Sequence, residues 1–341
     1  IPTIIWGEGP EANPNNSPAV SAYQINRCTG NLVLVVQVYY YALDIIGFKN
    51  YIMQLAANCA TLANSTPFPP FDPANLDISR LTIKIPANKL INGPPVPQRN
   101  QNYRKQQAML LHLPKNKTAE LKRLATPQSG DWISTYNTSY IYFWRIFNKI
   151  RVILYKFSRN TILWWGEAIN LRPRFYGPFL PQGLIRNALN CVISNTNPVT
   201  PLTVAEIMDE APLNKLASYI RALINGCDNE YINKLLVKMA PVRDKNTLNL
   251  QLNSYPFINI FVTNYKPADV NSFNFGFGKP ITYRYLFGGF STEGAVIIYP
   301  PVRSTNPDEG CVFSVIMEKE FVGKIIEMRE FCDFFEYRGV N

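Results

Sequence analysis

Runs of apolar residues and their spacing divide the chain into a succession of strands and helices. Leu32-Val33-Leu34-Val35-Val36-Gln37-Val38 is a short β-branched run that predicts a buried strand. It passes through Tyr39 to Asp44 into a turn expected to end at Gly47. Phe48, Tyr51, Ile52, Leu55 and Ala56 then recur at the spacing of one helix face. Residues 63–103 are rich in Pro, Asn and Gly and predict a long irregular stretch. Ala108 to Leu113 reads as a second strand, followed by a Lys-rich helix over Lys117–Leu124. Ser134-Thr135 predicts the cap of a helix whose inner face carries Ile141, Trp144 and Ile150. Beyond it come a strand-like segment Thr161–Leu171, a helix pair over 203–240, and strands near 256–263 and 293–298. A last strand and helix run from Val312 to Phe335. Strands and helices interleave with no fixed repeat, which places the chain in the α/β or α+β class.

Composition narrows the picture. Of 341 residues, 47% are hydrophobic, including 20 Phe and 19 Tyr, and 17% are charged. That balance supplies a large core and excludes disorder. The net charge of +10 is spread along the chain, with its densest runs in helical segments. A solvated basic surface is the leading reading, and a field that draws phosphate-bearing substrates is the second. No zinc pattern or RNP-type aromatic motif points to nucleic acid. Six scattered cysteines, none in a C-x-x-C pair, predict reduced thiols in a cytoplasmic protein rather than a metal site. No run is long enough for a membrane span. The start, Ile1-Pro2-Thr3-Ile4-Ile5-Trp6, lacks a signal-peptide pattern and an initiator Met. It reads as the beginning of a fragment, a processed form or the ordered part of a longer chain.

Five local motifs, in order, resemble those of the BAHD-type acyl-CoA transferase superfamily. Tyr40-Tyr41-Ala42-Leu43-Asp44-Ile45-Ile46-Gly47 is similar to its H-x-x-x-D-G-x-G element. His112-Leu113-Pro114 with Leu121-Lys122 resembles the strand–helix block that follows. Ile133-Ser134-Thr135-Tyr136-Asn137 with Phe143-Trp144-Arg145 is similar to the I-S-T helix. Ala168-Ile169-Asn170-Leu171-Arg172-Pro173-Arg174 resembles V-D-x-R-x-R, and Asn274-Phe275-Gly276-Phe277-Gly278-Lys279-Pro280 resembles D-F-G-W-G-K-P. The nearest likeness is to the fungal trichothecene-acetyltransferase-like branch. The resemblance implies a mixed α/β, two-lobed chloramphenicol-acetyltransferase-like fold with an interdomain channel. Residues 1–158 would form an incomplete N-terminal lobe, lacking roughly the family's first quarter, and residues 159–341 the C-terminal lobe.

Within that resemblance the departures bear on chemistry. The family's histidine is the general base that deprotonates the acceptor, and here its position is Tyr40. A phenol with pKa near ~10 is about one part in a thousand ionised at neutral pH. General-base catalysis is worth ~10²–10⁴-fold, so Tyr40 is a catalytic residue only as a hydrogen-bond donor. Asp44 and Arg172 would keep the family's structural pair. His112, the only histidine, reads as a structural residue. Tyr39 and Tyr41 are expected to share one face of a strand end, opposite Tyr40. With Arg186 and Asn187 they would line the channel, Arg186 standing where a small Gly is common and narrowing it. Asn274 replaces an Asp and Phe277 a Trp in the structural motif 274–278, at the expense of a salt bridge.

These departures favour a repurposed enzyme that binds a hydrophobic polyketide- or terpene-like metabolite in the channel and promotes a cyclisation, isomerisation or related step. The alternatives are an acyl-CoA-dependent O- or N-acyltransferase using another base, and a non-catalytic binding or scaffold relative. No metal or resident cofactor is expected, with acyl-CoA a co-substrate only if acyl transfer is retained. The expected partner is a small hydrophobic metabolite, with no nucleic acid and no membrane span, and the protein is expected to be a cytoplasmic monomer.

Overall fold

The computed structural model describes residues 19–39, 41–95, 104–127, 133–194, 199–248, 258–286, 294–300, 302 and 309–340. Two sheets are present among them. Strands β1 (Ser21–Cys28) and β2 (Asn31–Val38) form an antiparallel hairpin closed at Gly30. Gly30 has φ +74°, the left-handed geometry that such a tight connection uses. Helix α1 (Ile45–Asn64) follows. The expected irregular stretch carries three short 3₁₀ turns, Pro73–Leu76, Ser79–Leu81 and Ala87–Lys89, with residues 96–103 outside the described residues.

The second sheet has seven strands. In chain order these are β3 (Gln106–Leu113), β4 (Trp164–Asn170), β5 (Leu189–Ile193), β6 (Ile258–Asn264), β7 (Ala295–Ile298), β8 (Cys311–Glu318) and β9 (Glu336–Val340). Their spatial order is β5-β4-β6-β7-β8-β3-β9. The β4–β6 and β6–β7 pairs are parallel and the others antiparallel. Strands from both sides of the boundary expected between 158 and 159 contribute to this sheet. β3 comes from before that boundary and lies between β8 and β9, which come from after it. Ala108, Met109, Leu111 and Leu113 are all buried, so both faces of this strand are covered, as suits an interior place in the sheet.

Helices α2 (Lys115–Ala125), α3 (Thr135–Tyr155) and α4 (Leu213–Asn225) pack together, α3 resting on the sheet, and α5 (Asn229–Met239) follows. Ser134 caps α3 as predicted, accepting from the Asn137 N–H. Tyr140, Ile141, Phe143, Trp144, Ile146 and Phe147 are almost wholly buried, so α3 is apolar on more than one face and runs through the core. Its rings meet Trp165 of β4 and Phe313 of β8 edge-on. Short helices α6 (Val322–Glu327) and α7 (Arg329–Cys332) precede β9. Among the described residues, no helix is long and apolar enough to cross a membrane.

α1 joins the two sheets. Phe48, Ile52 and Ala56 pack against Leu34, Val36 and Val38 of β2 on one side, and against Val270 and Phe275 on another. Ile45, in its first turn, packs with Tyr265, Tyr299 and Val312 at the ends of β6 and β7 and the start of β8. The C-terminal ends of the parallel strands therefore face the start of α1, the place where open parallel sheets form their sites.

One buried acid stands apart from this apolar interior. Glu167 of β4 has its pKa pushed up to about 7 by burial, against the opposing effects of the Trp165 indole N–H (3.2 Å) and the Arg174 charge. A carboxyl that binds its proton more tightly when folded contributes stability fully below its unfolded pKa, and that contribution is lost as pH rises through about 7. The stability gained by Glu167→Gln relative to wild type should therefore grow by about 2–3 kcal/mol between pH 5 and pH 8. Urea titrations of both proteins across that range check it, and a constant difference would contradict it.

Candidate functional site

The site is built on Asp44, the N-cap of α1. Its Oδ1 accepts the Gly47 N–H (2.7 Å), satisfying one of the free donors of the first helical turn. Arg172 grips both oxygens, Nη1 to Oδ2 at 2.9 Å and Nη2 to Oδ1 at 3.0 Å. The Ala188 N–H donates to Oδ2 at 2.8 Å. Asp44 and Arg172 are both buried, Arg172 completely. The predicted pair is present and bidentate, the strong form of this contact.

The surroundings explain why the pair can be buried. Arg172 and Ala188 are the two feet of the β4–β5 connection, joined by the Leu171 N–H to the Ala188 carbonyl (2.9 Å). Asp44 accepts from both feet. Arg172 also donates to Asn170 Oδ1 and to the Leu184 and Arg186 carbonyls, and only its Nε lacks a partner. Asn50, in the second turn of α1, donates to the Gln182 and Leu184 carbonyls. Gly47 lies inside the first turn of α1 rather than closing the turn before it. Its lack of a side chain permits the approach, since a Cβ there would stand 2.8 Å from the Ile185 carbonyl oxygen and 3.0 Å from that of Arg186.

The other predicted residues distribute as follows. Tyr40 lies outside the described residues. Tyr39 and Tyr41 do meet, with ring centroids 5.5 Å apart, but not down a strand face. β2 ends at Val38, and the Ala42 N–H bonds back to the Tyr39 carbonyl at 2.9 Å, so the rings meet across a turn. The Asn187 N–H donates to the Ala42 carbonyl, which brings that turn to the β4–β5 connection. Arg186 serves the site through its carbonyl, and the residue is exposed.

Residues Asn274 to Gly278 pack along α1 rather than at its start. Phe275 is buried with Phe48 and Ile52, and Phe277 is exposed. Gly276 has φ +91°, and a Cβ there would meet Ala63 and the Ala60 backbone. Asn274 Oδ1 accepts from the Gly276 N–H, closing the loop itself. His112 belongs to a separate cluster, with Nδ1 3.0 Å from Glu336 and Nε2 3.0 Å from Glu309. None of its partners is shared with Asp44 or Arg172. Among the described residues, no group of three or more His, Cys, Asp or Glu side chains is placed to hold a metal ion.

A wall of tyrosines beside the start of α1 escaped the sequence reasoning. Tyr283 lies on Phe48 (5.9 Å between centroids) and edge-on to Tyr299 (6.1 Å). Tyr265 is edge-on to both Tyr285 and Tyr299. Burial, then the neighbouring Tyr299 and Tyr285, push the Tyr283 hydroxyl far above the ordinary tyrosine range, so it remains a proton donor. The available signal was positional: Tyr265 and Tyr299 directly follow segments predicted as strands.

This arrangement can be compared with known proteins. A family profile described as "Transferase family" matches residues 20–331. Over 344 aligned residues the chain is 42% identical to Acetyltransferase FGR3 of Gibberella zeae, covering 100% of this chain and 69% of the relative. F. sporotrichioides TRI101 complexed with coenzyme A and T-2 aligns with a TM-score of 0.73 at 22% identity, over 95% of this chain and 71% of that one. Vinorine synthase aligns with a TM-score of 0.62 at 17% identity, over 90% and 64%. The two solved structures share the fold.

Two substitutions test the geometry. Asp44→Ala leaves a buried guanidinium unpaired and two N–H groups without their acceptor, and should destabilise by about 3–5 kcal/mol. Gly47→Ala overpacks the contact with Ile185 and should cost about 1–3 kcal/mol. Chemical denaturation measures both, and wild-type stability in Asp44→Ala would show that the pair is not structural.

Proposed function

Because the chain belongs to the Transferase (BAHD) family, we propose that it moves an acyl group, acetyl foremost, from acyl-CoA to a hydroxyl or amine of a small hydrophobic acceptor. The observation that supports this reading most directly is the buried Asp44–Arg172 pair. It ties the start of α1 to the β4–β5 connection and so fixes the turn after β2, where the family resemblance locates the base and the channel. The relatives agree with it. The 42% identical protein is an acetyltransferase, and TRI101 has been crystallised with coenzyme A together with T-2 or deoxynivalenol.

Tyr40 stands four residues before Asp44 and takes the base position in this reading. A neutral phenol cannot remove the acceptor's proton efficiently at pH 7. The acceptor must then carry more of the reaction's nucleophilicity itself, which favours an amine over an aliphatic alcohol. The Tyr40 hydroxyl would act as a donor to the thioester carbonyl as charge develops there, while Tyr39 and Tyr41 line the acceptor side of the channel. Loss of the base first suggested cyclisation, but no observation favours that chemistry over acyl transfer, and the acetyltransferase relative weighs against it.

Release of CoA thiol from acetyl-CoA, followed with and without an alcohol or amine acceptor, tests the proposal. Wild type should release CoA in an acceptor-dependent manner, with the amine the better substrate. Tyr40→His should raise the rate with the alcohol by about 10²–10⁴-fold, the usual contribution of a general base. Absence of acceptor-dependent release in both proteins would overturn acyl transfer. An acceptor converted without gaining an acyl group would restore cyclisation.

A further inference from the structure

Arg284 lies in the tyrosine wall and is used differently from the other arginines around the site. Arg172 gives both Nη groups to Asp44 and three further acceptors. Arg174 donates to the Ile224 and Cys227 carbonyls near the end of α4. Arg284 spends only Nη1, on Thr282 Oγ1 (2.8 Å) and the Tyr283 carbonyl (2.8 Å), both in its own segment. Among the described residues it forms no ion pair, and its Nε and Nη2 make no hydrogen bond.

The guanidinium is nevertheless held in place. Its carbon stands 5.1 Å from the centroid of the Tyr299 ring, a cation–π contact that shields one face. Tyr299 is itself fixed: its hydroxyl receives the Tyr285 N–H (3.4 Å), and its ring packs with Tyr265 and Ile45. Arg284 is half-buried, and burial lowers its pKa, opposed by the nearby Tyr299. A partly desolvated cation without a counter-ion is costly unless a ligand supplies the charge. The Nε/Nη2 edge is the pair of parallel donors that matches a carboxylate. Asp44, the acid at the start of α1, is consumed by Arg172.

We infer that Arg284 is a binding residue for a carboxylate, carried by the acyl chain of the donor or by the acceptor, at the face where the tyrosine wall meets the start of α1. This rests on the acyl-transfer reading above and deepens it, naming an acid as the substrate class. A bidentate charge-assisted contact at such a site should favour the acid over its neutral counterpart by about 10- to 100-fold in affinity.

Titration calorimetry on the intact protein separates the possibilities, because it needs no turnover. One arm compares malonyl-CoA with acetyl-CoA. The other compares 4-hydroxyphenylacetate with its methyl ester in the presence of CoA. In wild type, one arm should show the acid binding about 10- to 100-fold tighter, and that arm identifies the carrier of the carboxylate. In Arg284→Gln the ratio should fall to about 1, and Arg284→Lys should retain part of it, because the charge remains while the paired donors are lost. Unfolding curves establish that both variants fold. Equal affinities within both arms in wild type, or a preference that survives in Arg284→Gln, would overturn the assignment. An equal loss of affinity for acetyl-CoA and malonyl-CoA in Arg284→Gln would also overturn it, by making Arg284 a contact to CoA's phosphates. If no CoA thioester binds at all, the acyl-transfer reading falls and takes this one with it. Thioesters that bind while neither arm prefers the acid leave acyl transfer standing and remove only the carboxylate site.

Discussion

The arrangement turns on one buried ion pair. Asp44 and Arg172 are separated by 128 residues of sequence, and their contact determines where α1 begins relative to the seven-stranded sheet. A buried charge pair is favourable only when its remaining hydrogen-bonding capacity is filled. Here Asp44 takes four hydrogen bonds, two from Arg172 and one each from the Gly47 and Ala188 N–H groups. Arg172 in turn binds carbonyls of the β4–β5 connection. That connection is thereby sealed against the first turn of α1, and Gly47 allows the two backbones to close.

Function follows from what the clamp leaves open. With the start of α1 fixed, the turn after β2 and the ends of β6 and β7 are carried to one place. Tyr39 and Tyr41 meet each other in the turn, and Tyr265 and Tyr299 meet at the strand ends. The wall of Tyr265, Tyr283, Tyr285 and Tyr299 keeps the buried Tyr283 hydroxyl protonated and carries the half-buried cation Arg284 at its edge. Phenols held protonated in this way remove protons poorly. If the chain transfers an acyl group as proposed, the acceptor must supply much of the nucleophilicity itself.

How much of this the sequence revealed depended on the range of the interaction. β2, α1, β3, α3 and β8 were legible because their apolar residues form dense runs or a clear helical face. The Asp44–Arg172 pair was legible through motif resemblance alone, since nothing local links residues so far apart. β1, β5 and β9 were not seen. β1 belongs to a two-stranded hairpin, and β5 and β9 lie at the edges of the large sheet. Each therefore needs few buried positions, and polar residues such as Gln24, Asn190 and Arg338 mask the pattern. The entry of β3 into the second sheet was hidden because strand order depends on long-range pairing. The tyrosine wall was missed because its rings come from three separate segments, each ordinary alone.

The central claim is that the clamped start of α1 is where the acyl donor meets its acceptor. The most direct measurement is a crystal structure of the protein soaked with coenzyme A. The account predicts the CoA sulfur at the turn after β2, beside residue 40, with the Asp44–Arg172 pair undisturbed beneath it and the tyrosine wall on the acceptor side. Coenzyme A bound with its sulfur away from this turn, or a turn closed off from solvent by Tyr39 and Tyr41, would contradict it.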